Sequence, residues 1–301
     1  MWSQVAWAGF ELENGGMEDP FTSNIAVPWT YYQGGTLTGV SQAKETTVVH
    51  GPLSSQKLAG TAGNSAANFG IRQTIQANIG DAFTFGGWVW PTSAGTYQET
   101  SIRVAWDGGT SAATATVLSS WLPLGTEKQL WHQMPLAGGN ATATTINVFL
   151  HTRRYSSNGN MLTYWDDVVG YHAYVPPAPS VSAVGDYSLD VDVNPGANAS
   201  NPQAEFGITI GGGAYTLGTD WVQPDGTVGG SPAWQTDANW GIRTVTGLTA
   251  GTEYTFEVRA RYSSSVTQET WSGPGASGMP IPEPATLLLA LGLGLVAARR
   301  R

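Results

Sequence analysis

The chain has 301 residues, a formal net charge of −9, only 12% charged residues and no cysteine. The acidic balance argues against nucleic acid or an anionic surface as partner. The missing cysteine removes disulfides, thiolate metal sites and a cysteine nucleophile from consideration. Gly 39, Trp 13 and Tyr 11, with few strong helix formers in succession, favour short strands and turns, and the length suits about two domains.

Residues 1–9 carry neither the charge nor the apolar length of a secretory leader. From Phe10 to about Tyr174 apolar and polar residues alternate in short runs between Gly, Asn, Ser and Thr clusters, the pattern of an all-β sandwich. Strands are expected over Thr46–Val49, Phe69–Gln76, Ala82–Trp90, Glu99–Trp106, Trp131–Leu136, Thr144–His151 and Leu162–Tyr171. In Ala82–Trp90 the period of two puts Phe83, Phe85 and Val89 on one face and Thr84, Trp88 and Trp90 on the other, which marks a central strand.

A series of landmarks runs through this region: Asn14-Gly15-Gly16-Met17-Glu18, Ser54-Ser55-Gln56-Lys57-Leu58, Ile71-Arg72-Gln73, Phe83 to Val89, Trp131, Ile146 to Leu150 and Tyr164-Trp165-Asp166-Asp167-Val168. Over residues 10–174 it resembles the galactose-binding-like jelly rolls of many carbohydrate-binding modules. It departs from them at Met17, where the family usually has Phe. The resemblance implies a structural calcium held by carboxylates at the positions of Glu18 and Asp166 together with backbone carbonyls, oxygen ligands of the kind Ca²⁺ takes. On that reading Asp167 points to the opposite face of the strand; the alternative is a solvated Glu18 and a turn-type Asp166-Asp167 pair. A sugar-binding face needs exposed aromatic platforms with polar neighbours. By alternation Trp88, Trp90, Arg103 and His151 share the non-core face of neighbouring strands, while core packing is the competing role of the tryptophans.

Val175-Pro176-Pro177-Ala178-Pro179 is a stiff joint between two β domains. Over residues 180–279 the run Val245 to Ala260 resembles the E-to-F corner of fibronectin type III domains. That likeness implies that Leu248 plugs the core and that Tyr254 places its hydroxyl on upstream backbone. Phe256 and Val258 are expected inward with Tyr254, and Thr255, Glu257 and Arg259 toward water.

The last segment, 280–301, holds Pro282-Glu283-Pro284, an uncharged run from Ala285 to Ala298, and Arg299-Arg300-Arg301. At ~1.5 Å per residue the run makes ~20 Å of helix, short of a ~30 Å hydrocarbon core. The three parts resemble the PEP-CTERM sorting signal of Gram-negative bacteria. The resemblance implies export, retention in the inner membrane through 285–298, recognition by an exosortase, and a place at the cell surface or in a biofilm matrix. Export with no leader evident in residues 1–9 leads to the expectation of a start codon placed too late, the alternative being another export route.

No nucleophile elbow, helical metal-ligand spacing or phosphate loop occurs. Asp190 and Asp192 share a strand face of the second domain, where they are expected to form its polar surface rather than a glycosidase pair. The expectation is a non-catalytic protein that binds polysaccharide. The alternatives are a structural or adhesive surface protein with no small-ligand site and, third, a polysaccharide-active enzyme.

Overall fold

The computed structural model describes residues 12–18, 20–35, 37–62, 67–92, 98–121, 129–154 and 159–281. The chain divides into two compact units, Met1–His172 and Ala173–Arg301, and is all-β.

In the first unit, ten strands carry the core: β1 (Thr30–Gly34), β2 (Leu37–Glu45), β3 (Ser55–Ala62), β4 (Ala67–Gln76), β5 (Ala82–Thr92), β6 (Gln98–Ala105), β7 (Thr116–Trp121), β8 (His132–Asn140), β9 (Thr145–Arg154) and β10 (Gly159–Ala173). They form two five-stranded sheets, ordered β8-β5-β10-β3-β2 and β1-β4-β9-β6-β7. From β3 to β6, and again from β7 to β10, the chain changes sheet at every strand, so the two sheets close on one core as a jelly-roll sandwich.

Alternation decides what fills that core. Phe83, Phe85 and Val89 of β5 face Ile71 and Ile75 of β4, Ile102 and Val104 of β6, and Val148 and Leu150 of β9. Each such side chain contributes roughly 1.5–3 kcal/mol by leaving water. Leu12 and Met17 enter the same core ahead of the first strand, and Met17 is fully buried. Gly15 lets this segment approach β10: its carbonyl accepts the Val168 N–H at 2.8 Å, and a Cβ on Gly15 would overlap the Val168 carbonyl.

Residues 46–49, expected as a strand, are a bend at 46–48 followed by irregular chain at 49. The Glu45 carboxylate accepts the N–H groups of Thr46 (3.0 Å) and Thr47 (2.9 Å) and so ends β2 one residue earlier. Of the four strands not expected from the sequence, β1, β2 and β7 are sheet edges, whereas β3, present there only as the landmark Ser54–Leu58, lies inside its sheet between β10 and β2. An edge strand is only partly covered, so its apolar alternation is weak; in β2, Thr38, Gly39 and Ser41 are exposed.

In the second unit the described strands are β11 (Ser180–Gly185), β12 (Ser188–Asp192), β13 (Glu205–Gly212), β14 (Tyr215–Val222), β15 (Arg243–Val245), β16 (Tyr254–Ser263), β17 (Val266–Glu269) and β18 (Ala276–Gly278), besides short two-residue pairs. One sheet is β11-β12-β15; the other runs β14-β13-β16-β17, with β18 also paired to β16. Leu189, Val191, Phe206, Ile208, Val245, Leu248, Phe256 and Val258 are buried between them. The Tyr254 hydroxyl accepts the Thr249 N–H at 3.0 Å, tying the turn before β16 to the sandwich. Arg259 is half-buried rather than turned to water: its guanidinium lies 5.3 Å from the Trp221 ring, as that of Arg261 lies 4.7 Å from Trp234. Residues 175–179 have no regular structure.

Candidate functional site

The outer face of the β8-β5-β10-β3-β2 sheet carries aromatic side chains that the core does not absorb. Trp88 and Trp90 leave β5 on the face opposite Phe83, Phe85 and Val89, and both are half-buried. Trp131, just before β8, packs edge-on against Trp90 with ring centroids 5.7 Å apart and planes at 84°. His50 covers Trp88: the two rings stack at 4.0 Å and 18°, and Trp131 meets His50 edge-on at 5.5 Å.

His50 lies in no strand, so its position depends on how residues 48–54 are held. The Trp131 indole N–H donates to Val49 O at 3.1 Å. Asp166 Oδ2 accepts the backbone N–H groups of His50 and Gly51, each at 2.8 Å, and Oδ1 accepts that of Asp167 at 2.8 Å. Glu18 Oε1 accepts Leu53 N–H (3.3 Å) and Ser54 N–H (3.4 Å), while Oε2 accepts the Ser54 hydroxyl at 3.2 Å. Burial pushes the Asp166 carboxyl up to about 6, against the backbone donors that favour its ionised form. The two carboxylates named from the sequence thus converge on one loop and fix it from two sides.

Asp167 does not point away from Asp166. Its φ of 45° interrupts the alternation of β10, so Trp165 and Val168 both reach the core and the two carboxylates stay on the same side. Asp167 Oδ2 is 2.8 Å from His50 Nδ1 and holds the imidazole on Trp88. A strict period of two cannot foresee this. Neither His50 nor Trp131 is a site residue on the sequence alone: His50 carries no pattern, and Trp131 stands there only as a landmark of the jelly-roll series at the start of the strand that pairs with β5.

Arg103 and His151 do not join Trp88 and Trp90. They stand on β6 and β9, in the other sheet, and point to its outer face. Both are buried, 6% and 1% exposed, so neither is available to a large ligand. Arg103 is spent on Glu99 (3.2 Å), Ser101 Oγ (2.9 Å) and Ala112 O (3.2 Å). His151 Nδ1 is 2.8 Å from the Tyr32 hydroxyl. Burial, followed by the nearby charges of Arg103 and Arg153, lowers the His151 imidazole to about 3, and burial holds the Tyr32 hydroxyl well above its usual range. This is a neutral structural pair. Alternation identified the non-core face of each strand correctly but carries no information on which sheet a strand enters.

Among the described residues, no three His, Asp or Glu side chains are arranged as a metal-binding group. Glu18 and Asp166 supply hard oxygens of the kind Ca²⁺ takes, but these oxygens already accept backbone N–H groups and, at Glu18 Oε2, the Ser54 hydroxyl, so a calcium ion there would have to share or displace those donors. Among the described residues, no helix is long and apolar enough to cross a membrane. Residues 1–9, Pro282, Glu283, Pro284, the 285–298 run and Arg299, Arg300 and Arg301 lie outside the described residues.

Residues 280–301 match the PEP-CTERM protein-sorting motif. No curated protein matches the chain. Among solved structures the chain is similar to the carbohydrate-binding module TmCBM61 in complex with β-1,4-galactotriose, at 15% identity and a TM-score of 0.37 over 53% of this chain and 96% of that one. It is also similar to a β-1,2-glucanase from Parabacteroides distasonis, at 13% identity and a TM-score of 0.31 over 87% of this chain and 38% of that one. The adhesin domain of Epf from Streptococcus pyogenes is similar at 8% identity and a TM-score of 0.26, over 77% of this chain and 80% of that one. Likenesses this remote do not identify a ligand.

Proposed function

We propose that this chain is an exported protein, sorted through its PEP-CTERM segment by an exosortase and held in the inner membrane through 285–298 before it reaches the cell surface or matrix. Its first unit binds polysaccharide and its second, read as a fibronectin type III domain, is a spacer. The sorting motif at 280–301 supports the first part. The observation that carries the second is the half-buried aromatic face of Trp88, Trp90 and Trp131 with His50 stacked on it. Aromatic planes offer the apolar faces of sugar rings a surface to stack on, and the Asp167 carboxylate and His50 imidazole beside them supply the polar groups that a sugar site needs for ring hydroxyls. A calcium ion at Glu18 and Asp166 would brace the loop that presents His50.

The reading is of a binding protein rather than an enzyme. Presenting the chain to a glycan array, with and without EDTA, tests it: retention of one polysaccharide class is expected. Retention of none would leave a structural or adhesive protein, and cleavage of the bound glycan would make it an enzyme.

A further inference from the structure

The second unit ends its described chain at an apolar rim. Leu248 N–H donates to Tyr187 O at 3.0 Å and Gly251 N–H to Pro280 O at 3.0 Å, which brings together the β11–β12 turn, the turn at 247–251 and the exit segment after β18. On this rim Val184 is 47% exposed, Tyr187 61%, Met279 45% and Ile281 62%. Large exposed apolar side chains scattered singly are ordinary, but these four share the end from which the chain departs. The ionisable residues of segments 183–188, 247–253 and 276–281 are Asp186 and Glu253, with no Lys or Arg.

The chain beyond Ile281 identifies the surface that such a rim meets. Pro282, Glu283 and Pro284 separate it from the uncharged run that begins at Ala285. Chain of that length spans at most ~14 Å even when fully extended. If the run enters a bilayer, the rim is held within that distance of the lipid, where an amphipathic Tyr and bare aliphatic groups are favoured. We propose that this rim rests on the bilayer, with Tyr187 and Ile281 at headgroup level, on a leaflet without net negative charge because the rim itself offers only carboxylates. The proposal depends on the reading that the tail enters the membrane.

The absence of cysteine makes every introduced one a unique label site. The full chain carrying Thr249→Cys at the rim, or Ser264→Cys beyond the far end of β16, is labelled with a nitrobenzoxadiazole dye and reconstituted into phosphatidylcholine vesicles. β16 has 10 residues, which at ~3.3 Å each places the two sites roughly 30 Å apart along the strand. Flotation with the vesicles reports the tail; quenching by a headgroup-level spin-labelled lipid reports the rim. Several-fold stronger quenching at 249 than at 264 is expected, reduced when Tyr187→Ser and Ile281→Ser are added. Floating vesicles with equal quenching at the two sites would overturn the docking alone, as would quenching that ignores the serine changes. A blue-shifted dye without lipid quenching would assign the rim to a second copy of the chain. A chain that does not float would remove the tail reading and the docking with it.

Discussion

The His50 imidazole lies on the Trp88 indole with centroids 4.0 Å apart, and its Nδ1 is held 2.8 Å from the Asp167 carboxylate. A loop residue is thereby made part of a sheet face. Removing the clamp with Asp167→Ala should free the ring: the His50 ring protons, shifted upfield by the indole in wild type, should move toward random-coil positions in an NMR spectrum. Unchanged shifts would show that stacking alone seats His50.

Calcium at Glu18 and Asp166 would bind the folded first unit and hardly the unfolded chain. At free calcium ~100 times the dissociation constant the gain is roughly 2.7 kcal/mol. The melting transition of the first unit should rise with calcium and that of the second should not. Because both carboxylates also hold backbone N–H groups, Asp166→Asn lowers the baseline in any case; the diagnostic quantity is the calcium increment. An increment retained in Asp166→Asn would remove this residue from the site, and none in wild type would leave a metal-free sandwich.

Tyr254→Phe leaves the Thr249 N–H without its acceptor inside the second sandwich. The expected loss is ~1–3 kcal/mol, read as an earlier urea midpoint for that unit. An unchanged midpoint would mean that water replaces the hydroxyl at no cost.

The His151 imidazole, lowered to about 3 from 6.5, makes the first unit acid-sensitive. The unfolded chain takes up this proton and the folded one does not, so the contribution is complete above the unfolded value and is lost as pH falls toward 3. Between pH 7 and 4.5 the loss is about 2.7 kcal/mol. Asp166, raised to about 6 from 3.8, acts the other way: the folded state holds its proton more tightly. On the same descent it adds about 2 kcal/mol, leaving a small net loss in wild type. His151→Gln removes only the first effect, so relative to wild type its stability should improve by ~2–3 kcal/mol from pH 7 to 4.5. Parallel pH profiles for the two proteins would contradict a buried neutral His151.

Much of this was legible in the sequence, for physical reasons. A period of two assigned Phe83, Phe85 and Val89 to the core and Trp88 and Trp90 away from it, and the Tyr254 corner follows from a local run that closes on itself within a few residues. The landmark series sets both ends of the sandwich and so names Glu18 and Asp166 together although 148 positions separate them in the numbering, and both hold the loop at 50–54. What stayed hidden depends on nonlocal geometry. Sheet membership put Arg103 and His151 on the far face, a positive φ at Asp167 reversed its side chain, and His50 was delivered by a loop whose anchors lie on other strands.

The central claim is that the face of Trp88, Trp90, Trp131 and His50 holds polysaccharide, and calorimetric titration of the best array glycan into single variants tests it most directly. A stacked ring contributes ~0.5–1.5 kcal/mol beyond its buried area, roughly two- to tenfold at ~1.4 kcal/mol per decade, so Trp131→Ala, and Trp88→Ala through the lost support of His50, should each weaken binding at least by about that factor. Ser119→Ala, on the edge strand of the opposite sheet, should bind as wild type does. Wild-type affinity in both tryptophan variants would contradict the claim.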